Sequence, residues 1–174
     1  MNYFHFFDLP LAFKIDEHLL KQRFYDNSKK YHPDFYTLES EEKQEEILAS
    51  STFNNQAYRT LSDFDKRMEY LLQLKGALAE EGKNDIPKDF LMEMMEINES
   101  LMELEFDFDE EKYREVLQEI DNQERVIYAE AAAIIENYDD KKTTAQELSL
   151  VKDYYLKKKY LLRIRENISK FATQ

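Results

Sequence analysis

The sequence predicts an all-α protein: an N-terminal helical hairpin domain over residues 1–75, a linker over 76–87 and a C-terminal antiparallel three-helix bundle over 88–174. Three observations predict it. Only 2 Gly and 3 Pro occur in 174 residues, so the chain lacks the material for phosphate-cradling loops or the many tight turns of a β-sandwich. Apolar residues recur every three or four positions over long stretches, which is one face of a helix. Hydrophobic residues make up 43% of the chain against 35% charged, enough to build one ordinary domain or two small ones around real cores.

The elements follow in chain order. Asp16 is a candidate N-cap, and Leu20, Phe24 and Tyr31 share one face of a helix from Glu17 to Tyr31. Pro33 ends it, because the residue before a proline is pushed out of the α region. Ser40 followed by Glu41 and Glu42 reads as the next start, with Ile47, Phe53, Ala57 and Leu61 turned inward. The small Ala49 and Ala57 suit a close helix approach, so the two helices form a hairpin with residues 32–39 at its tip. A further helix covers Phe64 to Leu74, and the segment from Lys75 to Pro87 holds both glycines, which makes it the domain boundary.

Three helical patterns follow, over about 88–105, 109–138 and 143–172. The first places Phe90, Met94, Ile97, Leu101 and Leu104 in a 4-3 repeat; the second places Tyr113, Val116, Ile120, Ile127 and Ile134; the third places Leu150, Tyr154, Leu161, Ile164, Ile168 and Phe171. Such repeats specify antiparallel bundle neighbours.

Charge is distributed unevenly along this frame. Residues 1–75 carry 10 Lys+Arg against 13 Asp+Glu, residues 76–140 carry 5 against 21, and residues 141–174 carry 9 against 3. An acidic middle and a basic end attract when folded back on each other, and leave acid over for a partner. The net charge of −13 argues against binding to nucleic acid or an anionic membrane. With 0 Cys there is no disulfide, thiolate metal site or cysteine nucleophile. No metal or cofactor is expected, because the three histidines lack ligand spacing. No apolar run approaches the ~20 residues of a membrane span, and the N-terminus has no basic region of a secretory signal. The expected location is the cytoplasm.

At Tyr31-His32-Pro33-Asp34 the sequence sets an imidazole, a rigid proline and a carboxylate at the hairpin tip, just after Lys29 and Lys30. His32 and Asp34 fit an acid–base dyad, a fragment of a metal site, or a fixed polar recognition tip. A dyad needs a nucleophile or a concave pocket, and a metal site needs more ligands than His5 and His18 can assemble. In the bundle, Leu91, Met92, Met95 and Met102 fall beside or opposite the core face of the first helix, where a surface helix carries polar residues. Bordered by Glu96, Glu99 and Glu103, they form an adaptable apolar strip with an acidic rim, suited either to another protein or to burial against the N-terminal domain.

The tripeptide His32-Pro33-Asp34, followed in the next helix by Asn55-Gln56-Ala57-Tyr58-Arg59-Thr60-Leu61-Ser62-Asp63, resembles the J-domain of the Hsp40 co-chaperones. Tyr3-Phe4, Phe7, Leu9-Pro10, Arg23-Phe24, Asn55-Gln56-Ala57-Tyr58 and Arg67-Met68-Glu69-Tyr70-Leu71-Leu72 narrow the resemblance to the HscB (Hsc20) family, J-type co-chaperones of iron–sulfur cluster assembly, over nearly the whole chain. The resemblance implies that His32, Pro33 and Asp34 engage an Hsp70 of the HscA type and stimulate its ATP hydrolysis. Lys21, Lys29 and Lys30 then supply a basic face for its ATPase domain, interrupted here by Asp26 and Asn27.

It also implies that Leu91, Met92 and Met95, with Glu96, Glu99 and Glu103, hold a client scaffold of the IscU type. The family's aromatic on the last helix has Leu156 as its nearest counterpart, with Tyr155 beside it. Glycine-rich and zinc-binding segments of general Hsp40 proteins are missing, as is the tetracysteine extension of some eukaryotic relatives, which leaves the bacterial-type architecture. The chain is then a non-enzymatic adaptor; a J-domain protein for another client is the alternative, and a small hydrolase built on His32 and Asp34 is disfavoured by the lack of pocket-forming loops.

Overall fold

Side-chain caps decide where the helices begin in the computed structural model, which describes residues 1–173. Asn2 caps α1 (Tyr3–Phe6), Asp16 caps α2 (Glu17–Lys30) and Ser40 caps α3 (Glu41–Leu61), each accepting a backbone N–H of the first turn; α4 (Phe64–Leu74) follows directly. In the second half Asp109 caps α6 (Glu110–Glu136), and Thr144 with Glu147 forms a reciprocal capping box on α7 (Ala145–Ser169), while α5 (Lys88–Phe106) starts behind Pro87 without a side-chain cap. Among the described residues the chain is all-helical, as the glycine and apolar patterns predict.

Two compact units result: residues 1–74 with 138–142, and residues 75–137 with 143–173. The expected linker 76–87 thus groups with the second unit, and Gly76 and Gly82 supply its turns with φ of +66° and +80°, a region glycine enters without a Cβ penalty. Residues 138–142 leave the expected bundle and join the first unit, where the Tyr138 ring meets Phe13 edge-on at 5.1 Å.

In the first unit α2 and α3 form the hairpin, around a core of Phe4, Phe7, Phe13, Leu20, Leu61, Met68 and Leu71. Ala57 is buried, but Ala49 is exposed, contrary to its expected place between the helices. Eight residues turn a helix by about 80° beyond two full turns, so the two alanines cannot share the contact. The approach is instead fixed by Asn54, whose amide donates to the Phe24 carbonyl at 3.3 Å and to Ser28 Oγ at 3.1 Å, and by Phe24 stacked on Tyr58 at 4.1 Å.

Two arginines tie the segment between α1 and α2 to the helices of this unit. Arg23 donates to the carbonyls of Phe7 and Asp8 and pairs with the Asp8 carboxylate at 3.4 Å, holding Asp8 at a φ of +48°, which a non-glycine residue takes only under constraint. Arg67, 2% exposed, donates to the Phe13 carbonyl at 2.9 Å and to the Leu61 carbonyl, and lies 3.8 Å from the Glu17 carboxylate. Burial lowers its pKa from the ordinary guanidinium value, and Glu17 and Asp63 oppose that shift. Arg67→Met keeps much of the volume but strands two carbonyl acceptors. A loss of about 2–4 kcal/mol is expected, read as a lower thermal midpoint of the N-terminal unit, and an unchanged midpoint would assign the bonds no weight.

In the second unit α5, α6 and α7 pack as a bundle over Phe90, Met94, Ile97, Leu104, Val116, Ile120, Ile127, Leu161, Ile164 and Ile168. The acidic α6 and basic α7 pair as their charges predict: Lys157 meets Glu130 at 2.9 Å, and Arg165 meets Asp121 at 2.5 Å and Glu124 at 3.1 Å. Two core positions shift. Ile135 rather than Ile134 is buried, and Leu150 is exposed while Leu148 and Val151 are buried. The buried face turns around α7 along its length, so a register extrapolated back from Ile164 and Ile168 puts Leu150 inside, whereas the face actually buried there carries Leu148 and Val151.

Candidate functional site

The tip of the hairpin is built by the proline. Pro33 removes a backbone donor and forces His32 out of the helix, to φ −73° and ψ 120°, where it caps a 3-10 turn over Pro33–Tyr36. His32 Nδ1 accepts the Asp34 backbone N–H at 3.3 Å and lies 3.7 Å from the Asp34 carboxylate. With Nδ1 an acceptor, the neutral ring carries its proton on Nε2 and presents a donor outward. The Tyr36 hydroxyl donates to the Lys30 carbonyl at 2.7 Å, and the Gln44 amide donates to the carbonyls of Thr37 and Glu39, so the loop is tied to both helices. His32 and Asp34 themselves remain open, their side chains 52% and 84% exposed. The tip is hydrogen-bonded at its base and faces solvent.

The lysines before it do not form one stripe. All three are exposed, but at about 100° per residue Lys29 points directly away from buried Leu20, while Lys21 and Lys30 lie on opposite flanks. Lys30 sits over the Tyr31 ring at 5.1 Å. Exposed Tyr25 and Asp26 share the outer face, and Asn27 is half-buried. The positive charge is therefore spread thinly around the outer half of α2.

On α5 the apolar strip is outside. Met92 is 67% and Met95 57% exposed, with Leu91 at the edge of the strip, and Glu96, Glu99 and Glu103 exposed around them. Buried Phe90, Met94, Ile97 and Leu104 occupy the opposite side of the same helix. Leu156 does not join this exposed surface: at 9% exposure it is buried, as is Tyr155 beside it.

Spacing arguments missed Phe106, 95% exposed, though it lies fourteen residues after Met92 in nearly the same helical register. They also assigned no role to Arg67 and Asn54, the buried polar residues of the N-terminal unit; isolated polar letters inside an apolar pattern were the available signal. Among the described residues no group of three or more His, Cys, Asp or Glu could hold a metal ion, and no helix is long and apolar enough to cross a membrane.

An exposed His-Pro-Asp tip on a helical hairpin, followed by a three-helix bundle with a bare apolar face, is the build of a J-type co-chaperone. Residues 86–169 match the family described as the HSCB C-terminal oligomerisation domain. The chain is 38% identical over 133 residues to the co-chaperone protein HscB of Buchnera aphidicola subsp. Acyrthosiphon pisum, spanning 74% of each protein. Its fold is similar to that of chaperone HscB from Vibrio cholerae, with a TM-score of 0.71 at 27% identity over 100% of this chain and 99% of that one. It is similar also to the crystal structure of human co-chaperone protein HscB, with a TM-score of 0.74 at 26% identity over 97% and 81%. The chain belongs to the HscB family of co-chaperones.

Proposed function

We propose that this protein is a non-enzymatic adaptor of the cytoplasm that binds an IscU-type iron–sulfur scaffold protein, delivers it to a specialised Hsp70 of the HscA type and stimulates that partner's ATP hydrolysis. One observation carries the reading: a single chain holds a fixed, exposed His32-Pro33-Asp34 tip and, in a separate unit, an exposed Leu91-Met92-Met95 surface rimmed by Glu96, Glu99 and Glu103. Two docking surfaces of different chemistry suit a protein that joins two others. The sequence segment 1–75, which supplies the helices of the first unit, is the Hsp70-binding domain, with Lys21, Lys29 and Lys30 attracting the acidic ATPase domain; the segment 88–174, after the linker 76–87, is the client domain. Adaptor rather than enzyme follows from the openness of the tip, since a dyad standing in bulk water has no site in which to exclude water or orient a substrate.

Steady-state ATP turnover of the Hsp70 tests it, measured with this protein, with scaffold, and with both. Turnover with both should exceed the sum of the separate effects. Stimulation by this protein that scaffold leaves unchanged would point to another client, and no stimulation at all would remove the J-domain assignment.

A further inference from the structure

The apolar surface of α5 runs on past the three residues of the proposed client site. Met102 and Phe106 are 70% and 95% exposed, and at about 100° per residue both fall within about 20° of Met95 around the helix axis. From Met92 to Phe106 the strip rises about 21 Å. Its far end is concave: Met102, Glu103, Phe106, Asp107, Asp109 and Lys112 line a depression of about 490 Å³. A phenylalanine standing almost wholly in water on a helix that already buries its opposite face adds nothing to the fold, so its use lies in contact with another molecule.

We propose that Met102 and Phe106 form a second anchor of the client site, so that the scaffold lies along the whole outer face of α5 and not on its first turns alone. This rests on the assignment of Leu91, Met92 and Met95 to the client. Continuity selects the occupant, because the two apolar clusters share one line of the helix with only Glu99 between them, about 6 Å along the axis from Met95 and about 4.5 Å from Met102. Charge selects it as well. Glu96, Glu99, Glu103, Asp107 and Asp109 flank the strip, and Lys112, the cation at its far end, already pairs with Glu103. A second copy of this chain meeting the strip two-fold symmetrically would set these carboxylates against their equivalents, which is repulsive. A client surface with Lys or Arg between and around two apolar contacts is matched by the same pattern, and Glu99 is the residue that meets the central cation.

Titration calorimetry with the purified IscU-type scaffold tests the proposal on the full chain. Met102→Ser with Phe106→Ser should weaken binding by about tenfold or more, and Met102→Leu with Phe106→Leu should stay within about threefold of the parent. Both pairs should melt with the parent, since neither residue is packed. The Leu91→Ala, Met92→Ala, Met95→Ala variant separates the two levels. If it binds as the parent does, the client assignment itself fails; if it binds weakly while the Ser pair binds normally, only the second anchor fails. Sedimentation of parent and Ser pair covers the other occupant: self-association that the Ser pair abolishes, with scaffold affinity intact, makes the patch a contact between copies and overturns the proposal.

Discussion

Replacing His32 with Gln is expected to reduce stimulation of the cognate Hsp70 to the level of the Hsp70 alone while leaving the fold unchanged. The imidazole does two things at the tip: its Nδ1 caps the turn through the Asp34 N–H at 3.3 Å, and its outer edge is presented to solvent beside Phe35, ring to ring at 5.6 Å. Glutamine keeps a polar end but is longer and has three free torsions, so it neither holds the cap nor presents a flat ring at a fixed angle. The packing cost is small because the side chain is half exposed, and the loop stays tied through Tyr36 to Lys30 and through Gln44 to Thr37 and Glu39. Helical circular dichroism and the melting midpoint should match the parent, and ATP turnover should not rise above that of Hsp70 by itself. Full stimulation by this variant would be incompatible with a tip that acts through His32.

Local chemistry was legible where a residue type can do only one thing. Asp16, Ser40 and the proline at 33 declare two helix starts and one helix end, and the structure has all three. That Met92 and Met95 lie off the core face was legible for the same reason, since a register fixed by Phe90, Met94 and Ile97 leaves them beside or opposite it, and the structure exposes both. Positions that depend on where a neighbour sits were not. Ala49 and Leu150 were placed by counting along one helix, whereas the contact face is chosen by the partner helix, and α7 changes the face it buries along its length. The burial of Leu156 was not legible either, because resemblance transfers a position in the sequence but not the exposure of the helix face that carries it. Arg67 and Asn54 bond to carbonyls many residues away, and no local pattern encodes those partners.

Truncating Leu91, Met92 and Met95 together to Ala is expected to weaken scaffold binding by about one to two orders of magnitude while the melting midpoint hardly moves. The three side chains sit within about one helical turn, and each apolar side chain of this size contributes about 1.5–3 kcal/mol when taken from water into a contact. Even a third of the summed value, allowing for coupling between neighbours, is about 1.5–3 kcal/mol, which at 1.4 kcal/mol per decade is about one to two decades in affinity. Stability should respond in the opposite sense. Met92 and Met95 are 67% and 57% exposed in the chain itself, so their loss leaves no cavity, and alanine is the better helix former. Met94, fully buried one residue away, supplies the internal comparison: Met94→Ala should cost about 2–5 kcal/mol of stability. If the triple variant melts as early as Met94→Ala does, the three residues belong to the core and the client surface must lie elsewhere; if it melts with the parent and still binds scaffold fully, the strip serves some other partner.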